Sequence, residues 1–170
     1  MAVTSKGDGD ERLLRRLSAE LARLHTSEEV AAYILGAVVQ VLGGNTGSLC
    51  LLTGDGNLQI VAEEGYSAAV TAVWTTFPVD AALPASDAVR TGTAVFLTSP
   101  EDRDTRYPIF KERPVVQDNA YAIEPLVADD RVFGALVVGF TDAREFADHQ
   151  KALLANVAAT CAAALARTRR

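Results

Sequence analysis

Residues 119–140, "NAYAIEPLVADDRVFGALVVGF", constrain the fold more than any other stretch of the chain. Two apolar runs flank Asp129 and Asp130, residue types that tolerate the left-handed backbone of a tight reversal, so the segment reads as an antiparallel hairpin. With the two aspartates at the centre of the turn, position 124 stands opposite 135. One face then carries Ala122, Glu124, Leu126, Phe133, Ala135 and Val137. The other carries Tyr121, Ile123, Pro125, Val127, Val132, Leu136, Val138 and Phe140. The second face is bulkier and uncharged, so it is expected to pack on helices, which leaves Glu124 pointing the other way.

Helices are written on both sides of this hairpin. Residues 10–24 place Leu14, Leu17, Leu21 and Leu24 three and four apart with charges between them, an amphipathic pattern. Thr26-Ser27-Glu28-Glu29 forms a capping box that opens a second helix, with Val30, Ile34, Val38 and Val41 on one face and Gly43-Gly44 at its end. Asp142 and Glu145 are expected to start a last helix over 143–167, with Phe146, Leu154, Val157, Cys161 and many alanines on its apolar side. A first hairpin surrounds Gly54-Asp55-Gly56-Asn57, and a third strand lies within 69–79, where residues 66–73 have a helical turn as the alternative. Between Asp80 and Asp118 the pattern breaks into a short helix, the strand "AVFL" and a Pro-containing irregular stretch, the kind of excursion that carries function. Helices at both ends around an antiparallel sheet define an α+β domain.

Composition narrows the function. A formal charge of −6 with scattered basic residues argues against a general nucleic-acid binder. No apolar run approaches the roughly 18 residues of a membrane span, and the polar start "MAVTSKGDGDER" lacks a secretory h-region, so a cytoplasmic protein with a disordered leader over 1–9 and one domain over 10–170 is expected. Cys50 and Cys161 form neither a disulfide framework nor a CxxC pair, and both read as buried thiols. His25 and His149 lack companion ligands at metal-binding spacing, so no metal is expected. No Ser/His/Asp set, P-loop or dinucleotide fingerprint occurs.

The segments "AVRTGTAVFL" and "IEPLVADDRVFGALVVGF", followed by Phe146 and an Ala-rich helix, resemble the GAF domain, the PAS-related sensory module of phytochromes, cyclic-nucleotide phosphodiesterases and bacterial signalling proteins. The resemblance spans roughly residues 12–167. It implies a six-stranded antiparallel sheet with the terminal helices on one face and a small-molecule pocket on the other, under the excursion. It also implies a homodimer through the terminal helices and an output kinase or phosphatase as possible partner. Ala94 stands where the family has Pro, and Glu124 where it has Val, Leu or Ala. Covalent bilin and haem are not expected, because neither cysteine and neither histidine lies in the pocket segment. Sulfoxide-reductase chemistry in this family uses cysteines of the excursion, and residues 66–141 contain none. The cyclic-nucleotide signature is also incomplete, with Ala120 after Asn119 and Gln150-Lys151 after Phe146.

The expectation is therefore a non-enzymatic sensor for an unidentified small molecule, or alternatively a structural dimerisation module with a collapsed pocket. Pocket candidates are Trp74, Phe77, Arg90, Phe96, Tyr107, Phe110, Glu124 and Phe133. A carboxylate in an apolar cleft requires a partner or a raised pKa, and Arg90, Arg103, Arg106, Arg113 or a ligand are the candidates to pair with Glu124. The dimer candidates are Leu14, Leu17, Leu21 and Leu24 with Leu154, Val157, Cys161 and Leu165.

Overall fold

The structure, a computed structural model, is described for residues 6–112 and 118–168. In chain order its elements are α1 (Lys6–Leu21), α2 (Ser27–Leu42), β1 (Thr46–Leu52), β2 (Asn57–Glu64), α3 (Ala68–Val73), β3 (Thr76–Pro78), α4 (Pro84–Thr91), β4 (Val95–Leu97), α5 (Pro100–Arg106), α6 (Ile109–Glu112), β5 (Ala120–Ala128), β6 (Arg131–Phe140) and α7 (Asp148–Thr168). The strands form one six-stranded sheet in the order β3-β2-β1-β6-β5-β4, antiparallel at every pairing.

Local chemistry accounts for the boundaries. The Thr26 hydroxyl accepts from Glu29 N–H at 3.1 Å, and the Glu29 carboxylate accepts from the N–H groups of Thr26 and His25, closing the expected capping box. Gly43, at φ 70°, ends α2 in the left-handed conformation. Thr26→Ala is expected to cost about 1 kcal/mol in a denaturation experiment, the usual worth of an N-cap. At the first terminal helix, α1 starts at Lys6, ahead of the expected Asp10, and residues 1–5 lie outside the described residues.

The turn between β5 and β6 holds Asp129 and Asp130 at φ 53° and 61°, as its residue types require. The register beyond it departs from expectation. Ala128 pairs with Arg131 and Val127 with Val132, but Leu126 then pairs with Gly134, so β6 gains one residue at Phe133. A Cβ on Gly134 would lie 2.3 Å from the Cys50 carbonyl oxygen of β1, so this close approach of strands accepts only glycine. The bulge shifts the pairing by one, to Glu124 opposite Leu136, and turns β5 over relative to β6.

The sheet accordingly separates two apolar cores. On one face α1, α2 and α7 pack over Ala120, Ala122, Leu126, Leu136, Val138 and Phe140. On the other, α4 and its neighbours pack over Cys50, Tyr121, Ile123 and Ala135. Leu17, Leu21, Leu154, Val157, Cys161 and Leu165 are all buried in the first core within the one chain. This corrects their assignment to a subunit interface: the six-stranded sheet needs that apolar area for itself. Leu14 and Leu24 remain partly exposed. The last helix also begins later than the capping pattern suggests, at Asp148. Phe146 is drawn out of it onto Phe96 and Phe140, and Gln150 accepts from Ala147 N–H at the real start.

Candidate functional site

A cavity of about 120 Å³ lies against the sheet face opposite the helices. Its floor is Ser48, Cys50, Ile60, Tyr121, Ile123 and Val137, from β1, β2, β5 and β6. Its roof is Val70, Trp74, Phe77, Leu83, Pro84, Ala85, Arg103 and Phe110, from the excursion that the chain makes between β2 and β5. Leu97 of β4 closes one side, and Glu63 and Tyr66 the other. Such a surface, mostly apolar with a few converging polar groups, has the character of a small-molecule site.

The aromatic part of the roof is set by α3 and α6. Ser67 caps α3 by accepting from Val70 N–H, and the helix ends at Trp74, whose indole lies 5.7 Å from the Phe110 ring. Phe110 in turn meets Tyr107 edge-on at 6.5 Å and carries the Arg103 guanidinium 5.8 Å from its centroid.

The polar end is organised by Asp118, a buried residue just before β5. Asn45 Nδ2 donates to its Oδ1 at 2.8 Å and Thr46 Oγ1 to its Oδ2 at 2.5 Å. Its own N–H donates to the Tyr121 hydroxyl at 3.0 Å, and Arg103 Nη1 donates to its carbonyl at 3.1 Å. Tyr66 completes the cluster, its buried hydroxyl close to Thr46 and Ser48. Burial is the main cause that raises both tyrosine pKa values, aided by the nearby Asp118 charge, so both are neutral hydroxyls at physiological pH. The Cys50 thiol donates to the Ala135 carbonyl at 3.6 Å, and burial pushes its pKa up to about 12, so it is not a thiolate.

Of the pocket candidates, Trp74, Phe77 and Phe110 line this cavity. Arg90 is exposed and spends its guanidinium on Asp87 and the carbonyls of Val79 and Ala81. Tyr107 is buried beside the cavity rather than in it; its hydroxyl donates to Asp87 at 2.7 Å, and burial, with Asp87 second, raises its pKa to about 12. Phe96 and Phe133 face the helix layer. So does Glu124, on the same side of β5 as Ala122 and Leu126, because of the bulge. Among the described residues Glu124 has no hydrogen bond or ion pair, and burial alone raises its pKa to about 7. Arg103 and Arg106, two of its proposed partners, bind elsewhere, Arg106 donating to the Phe96 carbonyl at 2.8 Å; Arg113 lies outside the described residues.

Reading strand alternation from the turn alone missed Tyr121, which it aimed at the helices. Tyr66 and Asp118 escaped because each sits at the edge of an element, where no periodicity marks it. Among the described residues no cluster of His, Cys, Asp and Glu could hold a metal ion, and no helix is long and apolar enough to cross a membrane.

A helix layer on one face of this six-stranded antiparallel sheet and an aromatic-roofed cavity on the other define an α+β architecture. The chain belongs to the GAF domain family, whose sequence model matches residues 25–166. No curated protein matches the sequence significantly. Solved structures share the fold at low identity. The GAF domain of an Acinetobacter phosphoenolpyruvate-protein phosphotransferase is 15% identical, with a TM-score of 0.78 over 97% of this chain and 96% of that one. The free methionine-R-sulfoxide reductase of Neisseria meningitidis, solved with its substrate, is 14% identical, with a TM-score of 0.75 over 99% and 95%. A segment of a methyl-accepting chemotaxis protein is 16% identical, with a TM-score of 0.72 over 90% and 96%.

Proposed function

We infer that this GAF domain is a sensory module that binds a small molecule in the cavity and passes its occupancy to the terminal helices of a homodimer. The observation that carries the reading is the cavity itself, apolar and aromatic over most of its wall yet bounded by an ordered polar cluster. Packed side chains leave few voids larger than a water, so a hollow of this size between sheet and excursion favours a ligand over the collapsed-pocket alternative. Similar domains in a phosphotransferase and a chemotaxis protein support a signalling role, with a kinase or phosphatase as an output partner of suitable kind.

Strand β5 supplies a route for coupling. Tyr121 and Ile123 touch the cavity while Ala120, Ala122 and Leu126, alternating with them, pack in the core shared with α7. A ligand that shifts β5 therefore biases the seating of α7. The apolar stripes of α1 and α7 are already buried, so dimerisation in this reading uses their outer surface of small residues, including Ser18, Ala22, Ala159 and Ala163. The domain acts without covalent chemistry of its own: Cys50, the one cysteine on the cavity wall, is a protonated thiol.

Native mass spectrometry of protein purified from its source tests both parts together. The expected spectrum is a dimer with a retained small molecule; a bare monomer would refute the reading. Hydrogen exchange with bound ligand should slow exchange in α7 as well as around the cavity, and protection confined to the cavity would remove the coupling.

A further inference from the structure

Among the described residues, two hydrogen-bond donors at the cavity wall have no acceptor. Arg103 uses Nε on Asp104 at 2.9 Å and Nη1 on the Asp118 carbonyl, but among the described residues its Nη2 makes no hydrogen bond. The Tyr121 hydroxyl accepts from Asp118 N–H and donates to none of the described residues. Both side chains line the cavity, and that of Arg103 is only 12% exposed. A guanidinium edge and a neutral phenol proton thus stand open at the same cavity wall, and together they offer two donors to one acceptor group.

We propose that the cavity takes a small organic monoanion, a carboxylate on an apolar body, with the carboxylate held by Arg103 Nη2 and the Tyr121 hydroxyl. The proposal rests on reading the cavity as a ligand site. The apolar body lies against Trp74, Phe77 and Phe110. Arg103 over the Phe110 ring disfavours a cationic ligand, since it already occupies that aromatic face with positive charge. Among the described residues it is the only basic one on the wall; Asp104 neutralises part of it and the Glu63 carboxylate also lines the wall, so the charge suits a monoanion better than a phosphate dianion. The volume, about 120 Å³, is below the roughly 300–1,000 Å³ of sites for drug-sized molecules and admits on the order of ten non-hydrogen atoms.

The probes are benzoate, phenylacetate, isovalerate and 4-methyl-2-oxopentanoate, each beside its primary amide, titrated calorimetrically into the full chain. At least one acid should bind saturably and about tenfold or more tighter than its amide, the margin a charge-assisted contact supplies. Arg103→Gln should abolish that preference. Because Arg103 also holds the Asp118 carbonyl, Tyr121→Phe serves as the second variant; it should weaken the acid several-fold and the amide, whose carbonyl is the weaker acceptor, by less. Amides binding as well as acids, or a preference that survives Arg103→Gln in a folded variant, would overturn the anion proposal while leaving the ligand site standing. No saturable binding of any acid or amide overturns both.

Discussion

Gly139→Ala should lower stability by about 3–5 kcal/mol, although it adds a single methyl group. Gly139 lies in β6 beneath the Asp118 cluster, and a Cβ there would sit 2.3 Å from both Asp118 Oδ2 and Thr46 Oγ1. Neither oxygen can retreat without giving up their mutual hydrogen bond, which leaves a buried carboxyl oxygen unmatched. The damage spreads, because Asp118 also anchors Arg103 and Tyr121 through its main chain. Gly54→Ala is the control, since nothing lies within 4 Å of a Cβ at that turn position, and its effect should stay within about 0.5 kcal/mol. Urea unfolding of the three proteins compares them directly; coincident curves for the two variants would show that the cluster carries no such weight.

The Asp118 cluster shows where sequence reading stops. Patterns that repeat along the chain were legible: the Thr26 capping box, the Asp129-Asp130 turn, the first hairpin and both buried cysteines are where spacing put them. Helix α3 and strand β3 divide residues 68–78 between the two readings that the segment allowed. The failures lie where a third element intervenes. No rule confined to one hairpin foresees that the Cys50 carbonyl presses on Gly134, yet that contact accompanies the bulge that turns β5 over and moves Glu124 to the helix side. The leucine stripes were read correctly as apolar, but apolarity does not say whether the partner is the chain's own sheet or a second copy. Asp118 mattered through Asn45 and Thr46, 73 and 72 residues away, and Tyr66 through Thr46 and Ser48 of β1, separations that no local period records.

Glu124→Gln is expected to stabilise the protein above neutral pH and to remove a pH dependence that the parent shows. Glu124 sits half-buried among Ala122, Leu126 and the helix core with no charge partner among the described residues, and burial raises its pKa from the ordinary 4.5 to about 7. Below pH 4.5 the folded and unfolded chains both hold the proton, and the residue costs nothing electrostatically. Between pH 4.5 and 7 the unfolded chain releases it while the folded chain keeps it, so stability falls as pH rises. Above pH 7 both forms are ionised and the whole penalty is present. Solvent reaches part of the side chain, so the shift is discounted for screening, and about 1–2 kcal/mol is the expected penalty. Glutamine keeps the shape and cannot ionise, so its stability should match the parent near pH 4.5 and exceed it by that amount at pH 8. Leucine, which also suits the apolar surroundings, should gain more. Parallel stability curves for parent and Gln variant from pH 4.5 to 8 would show instead that Glu124 is solvated in both states.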